Sequence, residues 1–388
     1  MTKKYYAEEK WEHDYETTRP LIVERNKDVE HILYASCQYG SHGFGQQNRI
    51  KLFAMLATTD IHTSSRQLQS AVDYLNYYEP IDCGICLGDI QACNYAESDG
   101  HWYSNIILKS KKEFYTVLGN HDVGNSADIK ISATSQMAFD KLIYPLKDKI
   151  GIKNLSTPYY LKLFDKYKVA LIVLNNYEAE VMGTDGNFAV HRGYECYTQA
   201  QIDWLIASLK SIPKTYHLII AMHSFFYNHE TIECSWSQQE ACFSINSEIP
   251  YGQDDLLTDI VDAWINGTAL RKNYQPKDEK LFPTLRVACD FANRGKGNFA
   301  CYLVGHEHKD IIARSKKYPN QKIVCLGATA NDNWQNYCSD LPRAIDSKAE
   351  DLLTVLSIEP DKRQIRLVRV GSNITIDMTE RTYIVIQY

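Results

Sequence analysis

A chain of 388 residues, 44% hydrophobic and 23% charged with a mean hydropathy of −0.38, has enough apolar material for one large α/β domain with insertions or for two domains. Its formal net charge of −6 and pI near 6.1 leave no basic footprint for a long polyanion such as duplex DNA, so nucleic acid is not an expected partner.

The N-terminal stretch MTKKYYAEEKWEHDYETT carries charges where a signal peptide needs an apolar run, and no later segment reaches the roughly 18 uninterrupted apolar residues of a membrane span. The expectation is a cytoplasmic protein without a membrane partner. Eleven cysteines fit that setting, because the number is odd, the spacing is irregular, and most sit in apolar strand-like runs such as FACYLV (Cys301) and KIVCLGA (Cys325). The Cys83-x-x-Cys86 pair in DCGIC has no second pair at zinc-ribbon spacing, which favours core packing over zinc or redox chemistry.

Residues 1–49 are polar and aromatic-rich and form an extension without an assigned role. They hold one candidate strand, HILYASC, and a glycine-bearing stretch, YGSHGFGQQN. From there apolar strands alternate with helices, the pattern of a sheet with helices on its faces, and one domain is expected over 50–388. The strands read as LFAMLAT, CGICL, FYTVL, VALIVLN, HLIIAM, ACYLV and KIVCLG. Between the first two, SSRQLQSAVDYLNYYEP places Leu68, Val72 and Leu75 at helical spacing before a closing proline. The segment TQAQIDWLIASLK opens with Thr198 and Gln201 as a capping box and continues with the core stripe Ile202, Leu205, Ile206 and Leu209.

Residues 228–298 separate the fifth and sixth strands by far more than an ordinary connection. This insertion holds one clear helix, DDLLTDIVDAWING, with Asp254 or Asp255 as N-cap and Gly267 past its end. Its eleven acidic residues outnumber its seven basic ones. An insertion at a sheet edge suits a lid or specificity wall, with a structural excursion as the alternative. Tyr227, Trp236 and Tyr251 are candidates to stack a base or sugar there, with interior or interface packing as the commoner role of such aromatics. The tail over 350–388 alternates apolar and polar residues around EPDKRQ, giving an antiparallel hairpin and a final strand.

Five apolar strands end in chemically loaded residues: ATTDIH, LGDIQ, VLGNHD, IAMHSF and VGHEH. If the strands run parallel, their polar ends converge on one edge, where ligands bind in α/β proteins. The convergent set is then Asp60, His62, Asp89, Asn120, His121, Asp122, His223, His306 and His308. Carboxylate, imidazole and amide without thiol suit borderline divalent metals such as Mn, Fe, Co, Ni or Zn. The donors are too many for one four-coordinate zinc and about right for two metals sharing a carboxylate. Two divalent ions outweigh two aspartates and a bridging hydroxide, so the site stays positive, attracts a phosphate ester and lowers the pKa of bound water.

Singly, each motif has a plainer reading. Asp-x-His and Gly-Asp occur in ordinary Asx-turns and βα turns, and a lone histidine in IIAMHSFF can be a satisfied core residue. Five in this order, each after an apolar strand, weigh strongly against the plainer reading.

The ordered set DIH, GD, GNHD, a single later His and GHEH resembles the calcineurin-like metallophosphoesterase superfamily over about residues 52–330. The resemblance implies a four-layer α/β/β/α sandwich with a dinuclear centre of Mn, Fe, Zn or Ni and hydrolysis by a metal-bound hydroxide. It also implies that Asp60, His62 and His308 hold one metal and that Asn120, His223 and His306 hold the other. Asp89 bridges them, and His121 faces the leaving-group oxygen as general acid or transition-state stabiliser, oriented by Asp122. A proton donor beside a departing alkoxide is what ester hydrolysis needs. Asp89 is followed by IQA rather than the GDxxY pattern of purple acid phosphatases, which disfavours a tyrosinate-iron site, and His223 is followed by Ser-Phe-Phe without the frequent nearby proline.

The expected function is hydrolysis of a small phosphomonoester or phosphodiester, with a nuclease of the same superfamily or a silent binding scaffold as alternatives. His42, His101, His191, His217 and His229 have no motif behind them and are expected at surface or structural positions, although His191-Arg192 could reach a phosphate if its loop covers the site.

Overall fold

Apolar runs separated by helices give a mixed α/β fold with two large sheets, the number expected for an α/β/β/α sandwich. The computed structural model describes residues 20–39, 50–91, 101–123, 134–178, 196–225, 229–233, 255–276, 282–330, 343–372 and 383–388. In chain order these form α1 (Leu21–Arg25), α2 (Glu30–Ser36), β1 (Gln38–Tyr39), β2 (Ile50–Lys51), β3 (Phe53–Thr58), α3 (Ser65–Tyr77), β4 (Cys83–Cys86), α4 (His101–Leu108) and β5 (Phe114–Thr116). Short helices α5 (Ser135–Ala138) and α6 (Lys147–Ile150) lead to β6 (Tyr160–Phe164), β7 (Val169–Val173), α7 (Gln199–Ser211), β8 (His217–Ala221), β9 (His229–Glu233) and α8 (Leu256–Asn266). There follow β10 (Ala269–Tyr274), β11 (Leu285–Asp290), β12 (Asn298–Val304), β13 (Ile311–Ser315), β14 (Lys322–Cys325), β15 (Leu352–Glu359), β16 (Gln364–Gly371) and β17 (Tyr383–Gln387).

One sheet has six strands in the order β17-β16-β15-β3-β4-β5, and the other has seven in the order β6-β7-β8-β12-β14-β13-β9. Each has a parallel heart, β3–β4–β5 in the first and β7–β8–β12–β14 in the second. The C-terminal hairpin β15–β16 joins the first sheet through antiparallel pairing of β15 with β3.

Alternation along the strands decides what packs where. Val169, Leu171, Val173, Ile219 and Ala221 share a core with the first sheet and with Leu68, Val72 and Leu75 of α3. Their neighbours Ala170, Ile172, Leu218 and Ile220 point the other way and pack with Ile202, Leu205 and Leu209 of α7 and Ile260 and Trp264 of α8. Strands buried on both faces read as continuous apolar runs, and each large side chain removed from water contributes about 1.5–3 kcal/mol.

Several expectations are revised. HILYASC forms helix α2 rather than a strand, because Val29, Leu33 and Ser36 are buried at helical spacing while His31 and Tyr34 are exposed. A short apolar run does not by itself distinguish the two. Thr198 caps α7 by accepting the Gln201 N–H at 3.2 Å, but Gln201 turns its side chain to Asn175 and Glu178, and the Thr198 N–H is taken by Glu178 instead. The described part of the insertion holds α8 with Gly267 in the left-handed region past its end, and also β9 and the β10–β11 hairpin. Trp264 Nε1 donates to the Leu209 carbonyl at 2.9 Å, so α8 is fixed on α7 as part of the second sheet's outer layer. Tyr227, Trp236, Tyr251, His42 and His191 with Arg192 lie outside the described residues. His101 is exposed on α4, and His217 is buried against the Tyr388 hydroxyl at 2.7 Å.

Among the described residues Cys37, Cys83, Cys86, Cys196, Cys289, Cys301 and Cys325 are buried, and burial pushes the Cys86 thiol up to about 12. Among those residues no helix is long and apolar enough to cross a membrane.

Candidate metal centre

Each candidate residue follows the C-terminal end of a parallel strand, but the five strands are split between the sheets. Asp60 and His62 follow β3, Asp89 follows β4, and Asn120, His121 and Asp122 follow β5 of the first sheet. His223 follows β8, and His306 and His308 follow β12 of the second. The backbone at these ends is unusual: Asp60, His62, Asp89, His306 and His308 all have positive φ, between 45° and 73°. Such residues cost of order 1–3 kcal/mol each and persist where their surroundings over-determine them.

The motif glycines are set by close approach. A Cβ on Gly88, itself at φ 99°, would stand 2.6 Å from Nδ1 of His223, and one on Gly119 would overlap the Asp89 carboxylate. Both contacts bring different strand ends together.

Two clusters of donors result. In the first, the Nε2 atoms of His62 and His308 are 3.1 Å apart, and His308 Nε2 is 3.3 Å from Asp60 Oδ1. In the second, Asn120 Oδ1 lies 3.1 Å from His223 Nε2 and 3.0 Å from His306 Nδ1, and those two nitrogens are 3.3 Å apart. Asp89 belongs to both: its Oδ2 is 3.2 Å from His223 Nε2 and 3.9 Å from His62 Nε2. One ligand atom each from Asp60, His62, Asp89 and His308 lie within 4.8 Å of one another, as do those from Asp89, His223 and His306.

Surrounding groups aim these atoms. His223 Nδ1 faces the Leu87 carbonyl at 2.7 Å, which fixes the N–H there and turns Nε2 inward. Asp60 Oδ2 accepts from the Thr59 hydroxyl at 2.7 Å and the His306 N–H at 3.0 Å, while its buried Oδ1 takes no hydrogen bond and faces the cluster. Asp89 Oδ1 accepts the His121 N–H at 2.8 Å, leaving Oδ2 to the centre. The His121 ring stands edge-on to His62, with centroids 4.7 Å apart, and its Nε2 is 3.8 Å from Asp89 Oδ2.

The carboxylate of Asp122, the residue expected to orient His121, has three backbone partners. Oδ1 accepts from Ile90 N at 2.9 Å and Gln91 N at 3.0 Å, and Oδ2 accepts from Gly119 N at 2.8 Å. It thereby ties the loop after β4 to the loop after β5.

Electrostatics sort the protonation states. Burial acts to raise Asp60 and Asp89, but facing imidazoles overcome it: His308 and His223 hold Asp60 down, and His223 and His121 hold Asp89 well below the usual range. Burial lowers His62 to about 4, and burial with the neighbouring His223 lowers His306 to about 3. His223 is the exception, because Asp89 and Asp60 outweigh its burial and raise it to about 9. Ionised carboxylates and neutral imidazoles are the forms that ligate divalent cations. Close nitrogen pairs, an aspartate oxygen without a hydrogen bond and strained ligand residues all fit a site built around cations.

Other parts of this setting were not singled out from the sequence. Asn176 and Tyr177, just past β7, contact Ser224 beside His223, with Asn176 Nδ2 2.5 Å and Tyr177 Oη 2.6 Å from its Oγ. Polar residues closing the apolar run VALIVL carried the same signal as the other strand ends. Thr329 N donates to Thr59 O at 2.8 Å and Ala330 N to Asp60 O at 3.1 Å. Buried Arg343 donates to the carbonyls of Ala328, Thr329 and Ala330, bracing that segment.

The sequence profile described as calcineurin-like phosphoesterase matches residues 53–310. No curated protein matches the chain in sequence. Among solved structures, a purple acid phosphatase from yellow lupin (Lupinus luteus) seeds is 12% identical, with 87% of this chain and 54% of that one covered and a TM-score of 0.43. A 5'-nucleotidase precursor from Thermus thermophilus is 9% identical, with 79% and 51% covered and a TM-score of 0.35. A predicted phosphoesterase from Streptococcus pneumoniae is 9% identical, with 87% and 99% covered and a TM-score of 0.33. The chain thus spans about half the length of the phosphatase and the nucleotidase.

Proposed function

Because the chain belongs to the calcineurin-like phosphoesterase family, we propose that it hydrolyses a small phosphate ester at a centre of two divalent transition-metal ions. The observation that carries this reading is the meeting of two donor clusters on one carboxylate, Asp89, from strand ends of two different sheets. Asp60, His62 and His308 would hold one ion and Asn120, His223 and His306 the other, with Asp89 shared. When bound, the pair supplies Lewis acidity toward the phosphate and lowers the pKa of water toward neutrality.

The chain's own residues do the rest. His121 lies at the rim, its side chain 14% exposed, within reach of an ester entering from solvent. In its protonated form it can donate from a ring nitrogen to the departing alkoxide oxygen, which would otherwise leave at high energy. Its backbone N–H, bound to Asp89 Oδ1, fixes the loop from which the ring projects. Asp122 serves this step by holding the loops of Asp89 and Asn120 in register. The donor set of nitrogen and oxygen suits Mn, Fe, Zn or Ni.

Residues 50–388 are assigned to one phosphoesterase domain, with 1–49 an extension to it. The acidic balance of the chain, net −6, favours a small ester over a long nucleic acid. Turnover of p-nitrophenyl phosphate and bis-p-nitrophenyl phosphate with Mn²⁺ tests the reading and ranks monoester against diester. Inactivity toward both, with metal bound, would move the assignment to a binding scaffold.

A further inference from the structure

A centre assembled from two sheets requires that their spacing be fixed at the edge where they meet. Arg369, in β16 of the first sheet, pairs with the carboxylate of Asp310, which lies two residues past His308 at the entry to β13 of the second. Arg369 is 1% exposed, and the same Asp310 oxygen also accepts the Gly327 N–H at 3.0 Å. In its own sheet Arg369 stands opposite Thr354, and Thr354 stands opposite Ala57 in β3, the strand that delivers Asp60. One ion pair therefore links the strand row leading to Asp60 with the loop carrying His306 and His308.

That loop needs external ties. His306 and His308 both have positive φ, 73° and 56°, so the segment would relax if released. Cys325 Sγ contacts the carbonyls of Gly305 at 3.2 Å and Lys309 at 3.4 Å, holding the segment to its own sheet. Arg369 acts from the other sheet through one guanidinium nitrogen, Nη2, paired with Asp310 Oδ1.

We propose that Arg369 is a positioning residue: through Asp310 it holds the His306–His308 loop at ligating distance from Asp60 and Asp89, which makes the C-terminal hairpin a working part of the metal centre. This inference rests on the two-metal reading above. A buried ion pair is a poor source of stability, since replacing both partners with neutral groups of similar volume is often harmless, whereas removing one strands a charge.

The test uses the double variant Asp310→Asn/Arg369→Met in the full chain. Metal-free wild type and variant are titrated with Co²⁺ and Mn²⁺, reading the visible absorption of bound Co²⁺, and the melting of both metal-free proteins is recorded. The expected result is metal affinity about 10–100-fold weaker with a changed Co²⁺ spectrum, at a melting temperature close to wild type. Wild-type affinity and spectrum in the double variant would overturn the proposal, whatever its melting temperature. Should the double variant not fold, Arg369→Gln removes the ion pair while leaving Asp310 its Gly327 N–H; weakened Co²⁺ binding then supports the proposal and unchanged binding overturns it. Absence of metal binding by wild type would instead overturn the two-metal reading and this inference with it.

Discussion

Asp89 Oδ2 and His223 Nε2 lie 3.2 Å apart, although the two residues come from different sheets. Among the described residues, Asp89 is also the one shared by both donor clusters. Asp89→Ala should therefore lose both metals and all turnover, and metal analysis of the purified variant checks it. Retention of the full metal complement would remove the bridge.

Protons compete for the same place. In the metal-free protein Asp89 and Asp60 raise His223 to about 9 against its burial. A histidine raised in this way adds stability that is complete below its ordinary value of about 6.5 and is lost as pH rises through about 9. Metal requires the ring neutral, so loading at neutral pH displaces a proton. Affinity for Mn²⁺ should climb with pH, approaching about tenfold per unit for one proton, and level off above about 9. Calorimetric titration in buffers of different ionisation heat measures the proton released. Affinity that stays flat between neutrality and about 9 would contradict the assignment of His223 as a ligand.

His121 sits beside both clusters without completing either. His121→Ala should keep its metals and lose turnover by about 10²–10⁴-fold, the usual contribution of a positioned proton donor. Steady-state kinetics with metal analysis on one sample separates the two effects. Undiminished kcat would remove the acid role.

Asp122 offers a different outcome. Its two oxygens serve three backbone N–H groups, and an amide in its place has one acceptor oxygen. Asp122→Asn leaves at least one buried donor unpaired, at about 1–3 kcal/mol, and should melt a few degrees lower even without metal. An unchanged melting curve for the metal-free protein would argue against the clamp.

The parts of this molecule that repeat a simple pattern were legible in its sequence. Helices α3, α7 and α8 showed their apolar stripes, and the core strands showed apolar runs closed by Gly, Asp or His. That β3 and β12 lie in different sheets was not legible, because an apolar run buried on both faces carries no mark of its partner. Helix α2 was misread because seven residues hold too few turns to separate the two periods. Arg369 in IRLVRVG looks like the polar member of an alternating edge strand, and only the position of Asp310 in space makes it internal. Asp122 stands out in GNHD, while its bonds to backbone amides depend in part on a loop about thirty residues away in sequence.

The central claim is a pair of ions held by seven side chains around Asp89. Metal analysis of wild-type protein purified without chelator, then stripped and titrated with Mn²⁺, addresses it most directly. The account predicts about two equivalents per chain, both lost in Asp89→Ala. A single equivalent that survives Asp89→Ala, or no uptake of Mn, Fe, Ni or Zn at all, would contradict it.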